Sequence, residues 1–250
     1  FNSSPQGFVE FGGVLYFQAT SAAGSELWTT DGTAAGTAQL IDIAPGTIEI
    51  DAESTPRSSS PDNFLAVGSQ LYFTANDGTT GRELWVTDGT ASGTTLVTDI
   101  FAGTFQDAED NTQPNSSNPA RLTQFNGAVY FIARDASGGS ELWMTDGTAN
   151  GTERVLDINS GPDDGLNAAD EIVAVGSTLL FAANDGLSGK ELWRTDGSSA
   201  GTFPILDIQA GSDSGLDQVE FAVVADVAYF AADDGINGSE LWRTNGSTAG

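Results

Sequence analysis

A twelve-residue segment recurs along this chain and constrains its fold more than any other feature. Its copies are ELWTTDGTAAGT from Glu26, ELWVTDGTASGT from Glu83, ELWMTDGTANGT from Glu141, ELWRTDGSSAGT from Glu191 and ELWRTNGSTAG from Glu240. The five glutamates are 57, 58, 50 and 49 residues apart, and the five copies contain every tryptophan of the chain. Sequence similarity at a fixed period of this size is typical of repeat proteins. The chain is therefore predicted to contain one supersecondary unit written five times.

Each unit is predicted to form four short strands. In the first unit these are Phe8–Phe11, Val14–Thr20, Glu26–Thr30 and Thr37–Ile43, all rich in aromatic or β-branched residues and separated by turn-forming segments. The Asn126-Gly127 pair between two apolar runs in the third unit is a strong hairpin signal.

The segment from Leu216 to Asp234 has no Gly or Pro and could be taken for a helix. Alignment with the other units instead places a turn at Ala225-Asp226, and the β-branched residues around it favour strands.

Four antiparallel strands in about fifty residues, without crossover helices, are typical of a β-propeller blade. We therefore predict an all-β chain: a β-propeller of five four-stranded antiparallel repeats, of which the last is incomplete. The prediction is one repeat domain over 1–250, with units 1–46, 47–103, 104–161, 162–211 and 212–250. The tryptophans are expected to pack between neighbouring blades. An open stack of the same hairpins is the alternative to a closed ring.

Composition limits the classes of partner. There are 8 Lys and Arg against 35 Asp and Glu, which gives a formal charge of -27. A field of this sign repels nucleic acids and anionic membrane surfaces, so we expect neither nucleic-acid binding nor membrane insertion. The chain has no Cys and no His, which removes thiolate and imidazole chemistry.

The connections between units are polar, acidic and rich in turn formers: AESTPRSSSP, DAEDNTQPNSSNP, GPDDGLNAAD and GSDSGLD. They are predicted to be surface loops, which are common sites of binding.

The recurring acidic residues have two interpretations. The glutamates that begin each copy could form a ring that binds metal or sugar, or they could accept hydrogen bonds from neighbouring backbone N–H groups. The second interpretation is favoured because an active site rarely repeats fivefold, whereas a packing solution must. The Asp of each DGT segment is predicted to cap its own turn.

A candidate calcium site lies between the second and third strands of units two to five. Short Asx-Gly loops rich in oxygen donors suit Ca²⁺, although none has the spacing of an EF-hand loop. The candidate metal ligands are Asn76, Asp77, Asp135, Asn184, Asp185, Asp233 and Asp234. Plain hairpin turns are the alternative.

The segment ELW-x-T-D-G-T-x-x-G-T, followed by an ending such as Asp42-Ile43-Ala44-Pro45-Gly46, resembles the ELWxxDGT repeat family of bacterial secreted and surface proteins. The resemblance covers essentially the whole chain and implies an extracellular or cell-surface repeat protein. The fifth copy departs from the pattern, because Asn245 replaces the Asp.

Two functional hypotheses follow. The first is a non-enzymatic adhesion, recognition or matrix scaffold, whose partners are a glycan, a surface or matrix protein, or a second copy of itself. The alternative is a carboxylate-based glycoside hydrolase on a propeller, because without His or Cys an enzyme would need paired carboxylates. An enzyme should break the repeat symmetry at one pocket.

The last unit of the sequence carries a further expectation. Units one to four each end in a strand with Asp-Ile, at Asp42, Asp99, Asp157 and Asp207, whereas unit five stops at Gly250 before such a strand. We expect the natural polypeptide to continue with a Thr-x-x-Φ-x-Asp-Ile strand, where Φ is apolar.

Overall fold

The computed structural model describes residues 2–50, 53–217 and 219–247. Within these ranges every regular element is a β-strand and no helix occurs, so none could cross a membrane. The prediction of an all-β chain is confirmed, and the described residues between Leu216 and Asp234 contain no helix. The chain divides into two compact units, one of residues 1–122 and 147–149 and one of residues 123–146 and 150–250.

The first compact unit contains two four-stranded antiparallel sheets, in the orders β1-β2-β3-β4 and β10-β9-β8-β7, and two hairpins, β5-β6 and β11-β12. Its strands are β1 Gln6–Phe11, β2 Val14–Ser21, β3 Gly24–Thr30, β4 Ala38–Ile41, β5 Thr47–Ile50, β6 Glu53–Pro56, β7 Asp62–Val67, β8 Gln70–Asn76, β9 Arg82–Thr87, β10 Thr95–Leu96, β11 Thr104–Gln106 and β12 Thr112–Pro114.

The remaining strands form two four-stranded sheets, in the orders β13-β14-β15-β16 and β17-β18-β19-β20, and a three-stranded sheet, β21-β22-β23. They are β13 Ala120–Phe125, β14 Ala128–Arg134, β15 Ser140–Thr145, β16 Glu153–Arg154, β17 Ile172–Val175, β18 Thr178–Asn184, β19 Lys190–Thr195, β20 Phe203–Leu206, β21 Ala222–Val224, β22 Val227–Asp233 and β23 Ser239–Thr244. Each of the five sheets contains one ELW segment on its third strand.

Every ELW tryptophan faces a phenylalanine across the central strand pair of its sheet. The pairs are Phe17 with Trp28, Phe73 with Trp85, Phe131 with Trp143, Phe181 with Trp193 and Phe230 with Trp242. Such cross-strand pairs of large side chains stabilise antiparallel sheets. The register is therefore the same in all five sheets.

Trp85 and Trp193 pack between neighbouring sheets, as the sequence predicted. Trp85 of β9 lies in one apolar cluster with Tyr16 and Leu27 of the preceding sheet. Trp193 of β19 packs in the same way with Tyr130 and Leu142. Alternate residues of β18 belong to two different apolar clusters, one shared with the preceding sheet and one with the following sheet, so β18 is buried almost continuously instead of alternating.

Both predicted hairpin turns are present and need left-handed backbone. Asn126 has φ 49° and Gly127 φ 83° between β13 and β14, while Ala225 has φ 48° and Asp226 φ 60° between β21 and β22. Two consecutive positive φ values match the twist of the flanking strands.

The two longer connections differ from the prediction of plain loops. The first connection, AESTPRSSSP, contains β6, which pairs with β5 just before it, and the second, DAEDNTQPNSSNP, contains β12, which pairs with β11 just before it. Their side chains are largely exposed, as at Thr104–Gln106. The alternation in Thr47–Ile50 (TIEI) spans only four residues, and Thr104–Gln106 and Thr112–Pro114 show none, so these strands lack the longer alternating pattern on which strand prediction depends. The predicted strand Thr37–Ile43 is also shorter, at Ala38–Ile41.

Candidate functional site

A buried glutamate ties each of the first four sheets to the linker that follows it. The Glu26 carboxylate accepts hydrogen bonds from the backbone N–H of Ile43 (3.0 Å) and of Ser59 (2.9 Å). Glu83 accepts from Ile100 and Ser117, Glu141 from Ile158 and Gly165, and Glu191 from Ile208 and Gly215. The interpretation of these glutamates as backbone acceptors is confirmed for these four.

The linker residue held by the glutamate also bonds to the next sheet. The carbonyl of Ser59 accepts from Asn76 N–H (3.0 Å) at the end of β8, and the carbonyl of Gly165 accepts from Asn184 N–H (2.8 Å) at the end of β18. The carboxylate thus fixes the linker that connects consecutive sheets.

Burial changes the acidity of these carboxyl groups. It raises the pKa of Glu83 and of Glu141 to about 7 against the opposing effect of the donated hydrogen bonds, and it raises the pKa of Glu26 and Glu191 in the same direction. Each of the four is at most 1% exposed.

The fifth glutamate is different. Glu240 is exposed, and the leucine beside it, Leu241, is 78% exposed, whereas Leu27, Leu84, Leu142 and Leu192 are at most 2% exposed. In the described part of the chain β23 has one strand neighbour, β22.

Three of the DGT aspartates, Asp31, Asp88 and Asp196, cap their own turns as predicted. Asp88 Oδ1 accepts from Thr90 N–H (2.9 Å) and from Thr90 Oγ1 (2.7 Å). These bonds hold the pKa of Asp88 below its ordinary value. Gly93 lies so close to this carboxylate that a Cβ there would stand 2.1 Å from Asp88 Oδ1.

The seven candidate calcium ligands lie either at the last residue of a second strand or in the loop that follows it, and they cap those loops. Asp77 Oδ1 accepts from Thr79 and Thr80 N–H, Asp185 Oδ1 from Leu187 and Ser188 N–H, and Asp234 Oδ1 from Ile236 and Asn237 N–H. Asn76, Asn184 and Asp233 each accept from the Gly two residues on, and Asp135 accepts from Ser137.

These ligands are not brought together into one cluster. Within the described ranges no three Asp, Glu, His or Cys side chains come close enough to hold a metal ion. Calcium binding stays a prediction, in which each loop would bind its own ion.

The second compact unit contains a cavity of about 260 Å³, beside the loop that follows Asn184. We call it the Asp164 cavity; its lining residues are Asp164, Gly165, Leu166, Asn167, Asn184, Lys190 and Ser214. The linker after β16 supplies Asp164 to Asn167, and the end of β18, the start of β19 and the linker after β20 supply the others. Its walls present a carboxylate, two amides, a hydroxyl and an ammonium group.

The charged groups of the Asp164 cavity are fixed by ion pairs. Asp164 Oδ1 accepts from Arg134 (2.8 Å) and from Ser140 N–H (2.7 Å), and these partners lower its pKa although burial opposes them. Lys190, the one lysine of the sequence, places its Nζ 2.7 Å from Oδ1 of the buried Asp170. Asp164 is therefore ionised at neutral pH.

The first compact unit has a smaller cavity, of about 170 Å³, beside the loop that follows Asn76. In this smaller cavity Asn76 corresponds to Asn184 and Ser58 corresponds to Asp164. The Arg57 side chain donates to the Gly78 carbonyl (3.0 Å). This lining has no carboxylate, so the Asp164 cavity departs chemically from its counterpart.

Sequence reasoning identified Asn184 but missed Asp164, Asn167, Lys190 and Ser214. Two signals could have found them: the single lysine, and the similar linkers DDGLN and DSGLD of the fourth and fifth units.

No protein-family model matches the chain, and no curated protein matches it. The resemblance to the ELWxxDGT family therefore stays a prediction.

Solved structures with a similar arrangement include hydrolases. One is a puromycin hydrolase, at 13% identity and TM-score 0.49, covering 93% of this chain and 33% of that chain. Others are the catalytic domain of a GH62 α-L-arabinofuranosidase from Coprinopsis cinerea (13% identity, TM-score 0.34, covering 99% and 88%) and a thermostable family-43 glycoside hydrolase (12% identity, TM-score 0.31, covering 97% and 88%). The chain spans about one third of the puromycin hydrolase.

These neighbours contradict the prediction that the chain is not an enzyme, and that prediction is withdrawn. At such identities and TM-scores they assign no activity or substrate to this chain.

Proposed function

We propose that this chain is an extracellular β-propeller protein of the ELWxxDGT type that binds carbohydrate in the Asp164 cavity. The sheets joined in sequence order, together with the packing of Trp85 and Trp193 between neighbouring sheets, support the propeller.

The lining of the Asp164 cavity is the observation that carries the proposal. Sugar hydroxyls donate and accept hydrogen bonds, and the Asp164 carboxylate, the Asn167 amide and the Lys190 ammonium offer both kinds of partner. The volume of about 260 Å³ is just below the range of about 300–1,000 Å³ usual for small-molecule sites, which suits one sugar ring at a time.

A glycan array probed with the purified chain tests binding. Asp164→Asn keeps the shape of the side chain and an acceptor for Ser140 N–H but removes the charge, and it is expected to weaken binding of any positive glycan at least tenfold. Asp163→Asn is the matched control, because Asp163 is the neighbouring exposed acid and does not line the cavity. Equal binding by the two variants would contradict the proposed site.

The second candidate function is hydrolysis of a glycosidic bond at the same cavity. Asp164 lines the cavity and its pKa is lowered, whereas Glu141 lies behind the lining residue Gly165, from whose N–H it accepts a hydrogen bond (3.1 Å), and burial raises its pKa to about 7. Opposite shifts of this kind separate an ionised carboxylate from a proton-donating acid in glycosidases. Glu141 would protonate the leaving oxygen while Asp164 activates water or attacks the sugar.

Glu141 is 1% exposed, so this candidate requires the Gly165 backbone to move aside. A panel of oligosaccharides followed by release of reducing ends tests it. Activity that is lost in Asp164→Asn, is retained in Asp163→Asn and declines above about pH 7 supports hydrolysis. Binding without any reducing-end release supports recognition alone.

A further inference from the structure

Among the described residues, Arg57 is a cation that lines a cavity and has no carboxylate partner. The cavity is the one of about 170 Å³ in the first compact unit, lined in part by Ile48, Arg57, Ser58, Asn76, Gln113 and Pro114, and we call it the Arg57 cavity. By contrast, Arg134, Arg154 and Lys190 each form an ion pair with an aspartate. With 35 acidic residues against 8 basic ones, acids are plentiful, yet the structure brings none to Arg57 within the described ranges.

The Arg57 guanidinium has N–H groups left to donate. Its Nη1 donates to the Gly78 carbonyl (3.0 Å), which holds the side chain against the loop after β8. No described residue accepts a hydrogen bond from its Nε or Nη2. A guanidinium carries five N–H groups in a fixed fork that matches the two oxygens of a carboxylate. Arg57 is therefore held in place and keeps donors for such an anion.

Two neighbouring side chains of the lining also have donors available. Asn76 Oδ1 accepts from Gly78 N–H (2.7 Å), which leaves the Nδ2 group to donate. Ser58 Oγ accepts from Ser25 N–H (3.0 Å), which leaves the hydroxyl hydrogen to donate. In the described part of the chain neither donor has an acceptor. A carboxylate accepts only, so both groups suit it.

The other side of the lining is largely apolar. Ile48 of β5 is 40% exposed, Pro114 ends β12, and Ala44 is buried. Gln113 adds an amide oxygen that can accept, because its Nε2 donates to Asp107 (3.0 Å). Donors around one cation, next to an apolar wall, suit a carboxylate carried on an apolar or ring-shaped body.

We infer that the Arg57 cavity binds the carboxylate of a small organic acid. One guanidinium matches one negative charge, which favours a monocarboxylate over a phosphate dianion in a chain with a formal charge of -27. Asp77 and Asp107, which adjoin the lining in sequence or by a hydrogen bond, accept within their own turns and do not line the cavity. The inference does not depend on carbohydrate binding in the Asp164 cavity.

Isothermal titration calorimetry with two acids and their neutral amides tests the inference on the whole chain. The probes are glucuronate with glucuronamide, and cyclohexanecarboxylate with cyclohexanecarboxamide. A phosphate-free buffer with sodium chloride at about 0.15 M screens charges beyond about 8 Å. We expect saturable binding of at least one acid, at least about tenfold tighter than that of its amide. Tighter binding of glucuronate identifies an acidic sugar as the ligand, and tighter binding of cyclohexanecarboxylate identifies an apolar acid.

A pair of arginine variants locates the binding. Arg57→Gln should weaken binding of the acid at least about tenfold, because the charge and the fork are lost. Arg243→Gln, at an exposed arginine of β23 that does not line the cavity, should leave it unchanged. Both variants remove one positive charge, so the difference between them depends on where that charge lies.

Ile48 offers a second pair of variants that keeps the contacts of Arg57. The carboxylate of Ile48→Asp would compete for the guanidinium and should weaken binding of the acid at least about tenfold. Ile48→Asn has the same size without the charge and should weaken it clearly less. Because Ile48 is 40% exposed, both variants should fold, and far-UV circular dichroism checks this.

Equal binding of the acids and their amides would overturn the inference. Unchanged binding of the acid in Ile48→Asp, or in a folded Arg57→Gln, would also overturn it. Inorganic phosphate that binds more tightly than either acid would contradict the monocarboxylate as the ligand class.

Discussion

The backbone N–H of Ser117 donates to Oε1 of Glu83 over 2.8 Å, and the Ser117 hydroxyl donates to Oε2 of the same carboxylate. The two residues are 34 positions apart, one on the third strand of a sheet and one in the linker that leaves it. With Ile100 N–H as a third donor, the carboxylate satisfies backbone and hydroxyl groups that would otherwise be buried without partners.

Replacement of this glutamate should therefore be costly. In Glu83→Gln the new amide N–H₂ faces hydrogen-bond donors, and at least one buried donor loses its acceptor. We expect the free energy of unfolding at pH 8 to fall by about 1–3 kcal/mol, measured by urea denaturation. Glu240→Gln is the matched control at the exposed equivalent and should leave stability unchanged. Equal losses in the two variants would refute the role of the carboxylate.

Stability should fall as pH rises from about 4.5 to about 7. The folded-state pKa values of Glu83 and Glu141 are about 7, above the ordinary 4.5, so between these limits the folded chain holds more protons than the unfolded chain. Each group should contribute on the order of 1–3 kcal/mol across the window, with no further loss from these groups above it.

Denaturation midpoints at half-unit pH steps measure this slope, and Glu83→Gln should flatten it. The pKa values of other carboxyl groups, such as those of Asp77 and Asp164, are lowered from the ordinary 3.8. These groups change the stability only below about pH 3.8, and therefore not between pH 4.5 and pH 7. A stability that rises from pH 4.5 to pH 7 would contradict the prediction.

The close approach of Gly93 to Asp88 gives a third prediction. Gly93→Ala places a Cβ against the carboxylate and should lower the melting temperature. In the background Asp88→Ala the same substitution should cost clearly less, because the clashing oxygens are gone, and calorimetry of the four proteins measures the coupling. Additive losses would show that the contact does not limit this turn.

Calcium should raise the melting temperature more than sodium chloride of matched ionic strength, if the Asx-Gly loops bind it as the sequence predicts. With a formal charge of -27, any salt stabilises the chain by screening, so the matched comparison is essential. Asp185→Asn should reduce the calcium-specific increment. An equal rise of the melting temperature in both salts would contradict calcium binding and show that the loops are plain turns, stabilised by their own Asx hydrogen bonds.

The repeat made much of the fold predictable. The ELW and phenylalanine positions fixed the central strands, because both faces are buried and the register is the same each time. The Asn126-Gly127 turn and the Asp88 cap followed from local backbone chemistry.

The Asp164 cavity and the linker hairpins could not be predicted in this way. Asp164, Lys190 and Ser214 are brought together by the linkers, and their juxtaposition depends on the glutamate bonds to Gly165 and Gly215. The β11-β12 hairpin is stabilised by polar contacts such as those of Asp107 with Asn111, which leave no apolar pattern.

The most direct test of the account is a crystal structure of the chain with the strongest glycan from the array. We predict density for one sugar ring in the Asp164 cavity, with hydroxyl oxygens within about 3.2 Å of the Asp164 carboxylate and the Asn167 amide. A sugar bound elsewhere, with this cavity unchanged, would contradict the proposed function.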